Sequence, residues 1–253
     1  MVKTLQICYN ENKRSSMSIA KQIRTYIDTL EEGKIFTYAD LPVDNISAAA
    51  PVLSRMQSKG AIKRLSKGKY YKPKKGMFGE LPPSDDEVLR SYMKTMGNTY
   101  ITGLQAFNKM GLTTQVPNVV TLAGKGSSRK IKVKNMTIEV FEQISSVEPD
   151  DIWFSQMLDA LDKIKKIPDT TPDDVVAYTI KSVYALNQKD KKKLAQLAIE
   201  RRPRTRALLG AIFQELGDLD ASSLLKKTLN PLSSYQVGIS DTVLNNKTEW
   251  KIK

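Results

Sequence analysis

Ser47, Ala48, Pro51, Ser54, Arg55 and Ser58 fall on one side of a helical wheel, opposite an apolar set of Ile46, Ala49, Ala50, Leu53 and Met56. Small polar residues on such a face let a helix backbone approach a surface closely. The guanidinium of Arg55 has the fork geometry that reads the O6/N7 edge of guanine, while Ser54 and Ser58 suit phosphate contacts. A short basic stretch follows, carrying Lys63, Arg64, Lys67, Lys69 and Lys72. A ribbon with these side chains can lie along a phosphate backbone or enter a minor groove. Lys21, Arg24, Lys59, Lys74 and Lys75 add cations that could reach further phosphates. The same pattern suits a protein-binding module, and Lys on strand edges also guards against aggregation.

The elements that must position these residues follow from periodicity and punctuation. From Ser15 to Glu32, Ile19, Ile23, Tyr26, Ile27 and Leu30 recur at helical steps, with Ser15, Ser16 and Ser18 as cap candidates and Gly33 as a stop. Ile35 and Phe36 form a short extended segment, and Thr37 caps a short helix that Pro42 ends. Ser47 caps a second helix running to about Lys59, with Pro51 in its first turn or so. Ala61–Leu65 and Tyr70–Lys72 read as two strands joined by the turn Ser66-Lys67-Gly68-Lys69. Helix, short strand, helix, turn, helix and two-stranded ribbon is the order of a winged helix-turn-helix. Tyr70 and Tyr71 alternate faces, which predicts one buried and one exposed ring.

Gly76, Gly79, Pro82, Pro83 and Ser84 read as a linker. A helix capped by Ser84 follows to about Thr95, a second covers Thr99–Met110, and strands are expected at 116–122, 130–133 and 136–141. Helices are expected at 151–166, 173–186, 189–199, 203–216 and 218–228. The fold class is therefore α+β and mostly helical. Three segments are expected: a winged-helix DNA-binding domain at 1–75, a small α+β domain at 84–148 and a helical C-terminal region at 149–253.

Composition bounds the chemistry. The 253 residues hold 40 Lys+Arg against 27 Asp+Glu, a formal net charge of +13, with no His and one Cys. The missing His excludes Ser-His, Cys-His and His-metal chemistry, and a single Cys excludes an intramolecular disulfide or a Cys-based zinc site. Residues 1–79 alone carry 15 Lys/Arg against 6 Asp/Glu, so the positive excess is concentrated in the first third. Such clustering is the footprint of phosphate contact. No apolar run reaches the roughly 18 residues of a membrane span, so a cytoplasmic protein without a membrane partner is expected.

Enzyme signals are weak. Gly124-Lys125-Gly126-Ser127-Ser128 lacks P-loop spacing and precedes a strand. The acidic starts at Asp85-Asp86-Glu87, Asp150-Asp151 and Asp173-Asp174 suit helix N-termini better than Mg²⁺. Cys8 lies in a polar extension with no base beside it. No catalytic residue, metal or cofactor is expected. Arg201, Arg202, Arg204 and Arg206, with Lys189 and Lys191–Lys193, form a second basic cluster whose default reading is a solvated corner. Trp153 and Phe154 read as core anchors.

Residues 16–145 resemble a known family. The pattern Ile19…Ile23, Phe36-Thr37…Leu41, Leu53-Ser54-Arg55-Met56, Lys59-Gly60, Ile62-Lys63-Arg64, Lys67-Gly68 and Tyr70-Tyr71-Lys72-Pro73 is similar to the N-terminal winged helix of AbiEi-type antitoxins. Tyr100-Ile101-Thr102-Gly103-Leu104-Gln105-Ala106 and Gly111-Leu112-Thr113-Thr114-Gln115-Val116-Pro117 resemble the segment that follows it there. The resemblance implies an antitoxin of a type IV toxin–antitoxin system, of a kind linked to phage exclusion. Its winged helix would repress its own promoter at inverted repeats in double-stranded DNA. Its downstream domain would counter a nucleotidyltransferase-like toxin, with which it need not form a stable complex. A winged-helix adaptor that binds a protein partner and no specific DNA is the alternative.

Overall fold

A computed structural model describes residues 17–77, 79–124, 127–133, 136–142 and 147–253. Cys8, the polar extension Met1–Arg14, the cap candidates Ser15 and Ser16, and Lys125-Gly126 of the Gly-rich turn lie outside them. The protein is α+β and divides into two compact units, residues 1–95 and 96–253.

In the first unit, Ser18 caps α1 (Ile19–Thr29), its hydroxyl accepting from the Lys21 amide at 3.4 Å. β1 (Ile35–Thr37) leads into a single 3-10 turn at Tyr38–Asp40. α2 (Ile46–Ser58) follows, then β2 (Lys63–Ser66) and β3 (Lys69–Tyr71). The three strands form an antiparallel sheet in the order β1-β3-β2. Ile23, Ile27, Phe36, Leu53 and Ile62 build its core on one face. Each such buried side chain contributes about 1.5–3 kcal/mol relative to exposure.

Two expectations change here. Residues 76–84 are not a plain linker: β4 (Lys74–Gly76) and β5 (Gly79–Leu81) pair as a second antiparallel ribbon. The expected boundary at 75 also falls inside the unit. α3 (Asp85–Met96) covers the other face of the β1-β3-β2 sheet. Glu87 Oε1 accepts from the Ile35 amide at 3.1 Å, and the Tyr92 hydroxyl donates to Ser66 Oγ at 3.2 Å. A sheet with apolar residues on both faces needs two covers, so Tyr70 and Tyr71 are both buried.

In the second unit, β6 (Thr99–Thr102) and α4 (Leu104–Lys109) replace the single helix expected over 99–110. Thr99, Tyr100, Ile101 and Thr102 are β-formers, and they pair antiparallel with β7 (Val119–Gly124). Gly103 makes the break at φ +68°, where a Cβ would meet the Thr121 side chain at 3.0 Å. β8 (Arg129–Val133) and β9 (Met136–Glu142) complete a sheet in the order β6-β7-β9-β8, with β7 and β9 parallel. The helices α5 (Ile152–Asp162), α6 (Pro172–Tyr184), α7 (Gln188–Ala198), α8 (Pro203–Glu215) and α9 (Leu219–Lys226) follow.

One core runs from Phe107 and Leu112 through these helices to Trp250 and Ile252. The segments expected as separate domains at 84–148 and 149–253 therefore share their interior from residue 96 onward. The tail returns to the body: Tyr235 bridges Ile252, and Trp250 packs over Gly210. Among the described residues no helix is long and apolar enough to cross a membrane.

Candidate nucleic-acid interface

α2 is started by Asn45, whose Oδ1 accepts from the Ala48 amide at 3.1 Å, and not by Ser47. Its buried stripe is Ala49, Val52, Leu53 and Met56. Ile46, expected inward, is 56% exposed because the stripe runs past the core at the helix start. Val52 takes the inward place that the wheel did not give it. Pro51 sits in the second turn of the helix, beyond the position first expected, and its missing N–H falls on the outward side.

Ser47, Pro51, Ser54, Arg55, Ser58 and Lys59 are all exposed on the outer side of α2 and at its C-cap. Arg55 Nε donates to the Pro51 carbonyl at 3.3 Å, which lays the side chain along the helix. Its two terminal amino groups have no partner among the described residues. Ser58 Oγ donates to the Ser54 carbonyl at 3.1 Å and keeps its lone pairs as acceptors. Beside this face lies a cleft of about 330 Å³ between α1 and α2, lined by Arg24, Arg55 and Lys59 with Asp28 as the lone acid. Sequence spacing gave Arg24 only the role of a further phosphate contact; the pairing of α1 with α2 brings it to the same cleft as Arg55.

The β2–β3 hairpin departs from the expected basic ribbon. Lys67 is exposed at its turn, and Arg64 is exposed with Nε donating to the Ser66 carbonyl at 3.3 Å. Lys63 is exposed but ion-paired with Glu80 of β5. Lys72 donates to the carbonyls of Asp28 and Leu30, at 2.9 and 2.8 Å, and so ties off the C-terminal end of α1.

Lys69 is no surface contact at all. It is 6% exposed, and its ammonium donates to Ser91 O and Oγ at 3.0 Å each and to Thr95 Oγ1 at 2.6 Å. It also lies 4.7 Å from the centre of the Tyr92 ring. Burial holds its amine below the usual lysine value. β3 is the central strand, so an inward-facing lysine there meets α3 and not solvent.

Three arginines of the second basic cluster, Arg201, Arg204 and Arg206, are drawn into the interior of their own unit, while Lys189, Lys192 and Lys193 stay exposed as a solvated corner would leave them. Arg201 NH1 donates to Asp159 Oδ1 at 2.7 Å, and Asp159 Oδ2 also accepts from Tyr100 at 2.8 Å and Thr102 at 2.6 Å. Burial and the Asp159 charge push the Tyr100 phenol well above its usual value. Arg204 donates to the Asp162 carbonyl, and Arg206 to the Thr228 carbonyl at 3.0 Å. Arg202 remains exposed near Asp162. Phe154 is buried as a core anchor, while its edge-on neighbour Trp153 stays partly exposed.

The sequence matches one protein-family model, DUF6088, a family of unknown function, over residues 22–195. A search of curated proteins returns no match. A crystal structure of the RV2827C protein from Mycobacterium tuberculosis is similar at 11% identity and a TM-score of 0.48, over 87% of this chain and 85% of that one.

Proposed function

We propose that this chain, which belongs to the DUF6088 family, is a DNA-binding transcriptional autorepressor whose first unit is a winged helix-turn-helix. α2 acts as the recognition helix. The observation that carries the reading is its outer face: Ser47, Pro51, Ser54, Arg55 and Ser58 are exposed together, with a guanidinium whose terminal amino groups have no partner among the described residues. Arg24 and Lys59 supply phosphate contacts beside it, and Arg64 and Lys67 extend them along the hairpin. The concentration of positive charge in residues 1–79 supports an anionic partner of this kind. The resemblance of 100–106 and 111–117 to AbiEi-type antitoxins supports the second half of the reading. On it, the protein is also an antitoxin that counters a nucleotidyltransferase-like toxin.

The test is a gel shift of the full chain on the DNA upstream of its own gene against random duplex at physiological salt. A preference of about a thousandfold or more supports an autorepressor. Binding without preference overturns it and favours a protein-interaction adaptor. A neighbouring nucleotidyltransferase gene whose toxicity this chain relieves tests the antitoxin role.

A further inference from the structure

The β4–β5 ribbon is built unlike the rest of its unit. Every described residue from Lys74 to Leu81 is exposed, on both faces of both strands. An isolated two-stranded hairpin is marginal in water. This one is fastened by the Lys63–Glu80 ion pair to β2. Its tip carries Met77, which is 96% exposed. Lys74 and Lys75, one strand behind that tip, have no ion pair or hydrogen-bonding side-chain partner among the described residues. The ribbon's one acid, Glu80, is already neutralised by Lys63.

The strands are also thin where they enter the turn. Gly76 and Gly79 stand opposite each other, so no side chain flanks the turn on either strand. A Cβ at Gly76 would meet the Gly79 carbonyl and the Leu81 side chain, both at 3.1 Å, and Gly79 sits at φ +121°. Glycines at the entry to the turn, the exposed apolar side chain of Met77 in it, and two cations behind it with no partner among the described residues make up a probe. A matching surface carries anions on its rims and has an apolar layer that a wedge can open. A duplex minor groove has phosphates on both sides, across a width of about 6 Å, and stacked base faces that an inserted side chain can part. Apolar residues, Met among them, enter base steps from this side and kink the duplex.

We propose that the β4–β5 ribbon, and not the β2–β3 hairpin, is the element that enters the minor groove, with Met77 as a wedge at a base step and Lys74 and Lys75 on the flanking phosphates. The inference rests on the DNA-binding reading above and names the part of the molecule that deforms the DNA. The β2–β3 hairpin is poorly suited to that task, because Lys69 and Tyr71 are buried and Lys63 is paired.

The experiment uses the full chain and its upstream duplex carrying a dye at each end. Bending is read by energy transfer and affinity by anisotropy over a range of salt. Wild type should bend the bound duplex. Met77→Ala should lose most of the bend and about ten- to a hundredfold in affinity, the scale of one buried apolar side chain. Lys74→Ala with Lys75→Ala should weaken every duplex and reduce the log–log salt slope by about 2. All these side chains are exposed, and unchanged urea midpoints would establish that the variants fold. A Met77→Ala protein that bends DNA as the wild type does overturns the wedge. An unaltered salt slope in the lysine variant overturns the phosphate contacts. Wild-type chain that binds no duplex overturns the parent reading as well, which separates the two failures.

Discussion

The ammonium of Lys69 and the hydroxyl of Thr95 lie 2.6 Å apart, joining the start of β3 to the last turn of α3. A lysine that looks like a ribbon contact for DNA is thereby a rivet between the sheet and its second cover. Ser91 doubles the attachment through its carbonyl and its hydroxyl.

Replacing Lys69 with Met keeps the stem and removes the donor. The first unit should lose about 1.5–3 kcal/mol, the range for hydrogen bonds to a charged group, read as a lower urea midpoint. Duplex affinity of the folded fraction should stay as it was. A variant of unchanged stability and weakened DNA binding would place Lys69 at the interface after all.

Arg55 and Lys67 should separate base reading from phosphate contact. Arg55→Ala should cost about 1–3 kcal/mol on the preferred duplex and little on random DNA. Lys67→Ala should weaken both alike and lower the salt slope by about 1. Equal losses for Arg55→Ala on the two duplexes would reduce it to a phosphate contact.

The buried Tyr100 makes the second unit sensitive to alkali. Its folded value is raised, chiefly by burial and next by the Asp159 charge, above an unfolded value near 10. A raised value contributes stability that is complete below the unfolded value and is lost as pH rises through the folded one. Alkaline unfolding followed by circular dichroism should therefore show stability falling above about pH 10. Tyr100→Phe should be less stable at neutral pH, because Asp159 loses a donor, yet should show a shallower alkaline decline. Parallel curves for the two proteins would contradict the buried assignment.

Gly210 faces the tail. A Cβ there would stand 2.3 Å from two carbons of the Trp250 ring, whose Nε1 donates to Gln214 at 2.9 Å. Gly210→Ala should cost about 1–3 kcal/mol, as overpacking does, and should alter tryptophan fluorescence. An unchanged melting curve would show that the tail packs elsewhere.

Much of the helical architecture was legible because its signals are local. The helices expected at 173–186, 189–199 and 203–216 fall within two residues of α6, α7 and α8, which Thr171, Asn187 and Pro203 start. The outer face of α2 was legible for the same reason, since residues three and four apart share a face wherever the helix lies. Thr99–Thr102 was misread because a β-rich stretch beside a helix carries no local sign of the strand it pairs with, and that partner, β7, begins at Val119. The Gly76–Gly79 spacing was the available signal for the second ribbon, and the prolines after it masked it.

The fate of the lysines was decided elsewhere. Composition and spacing by themselves determined that the chain is basic, that its positive excess sits in the first third, and that Arg55 and its serines share one helical face. Which cations stay free was decided only by tertiary structure. Lys69 was buried by α3, Lys72 was drawn onto the end of α1, Lys63 was paired by Glu80, and Arg201 was taken into the interior by Asp159. Each partner is a nonlocal acceptor, brought within hydrogen-bond reach by the packing of elements distant in sequence. A charge must be paired or solvated wherever the fold leaves it, and only the assembled core determines which.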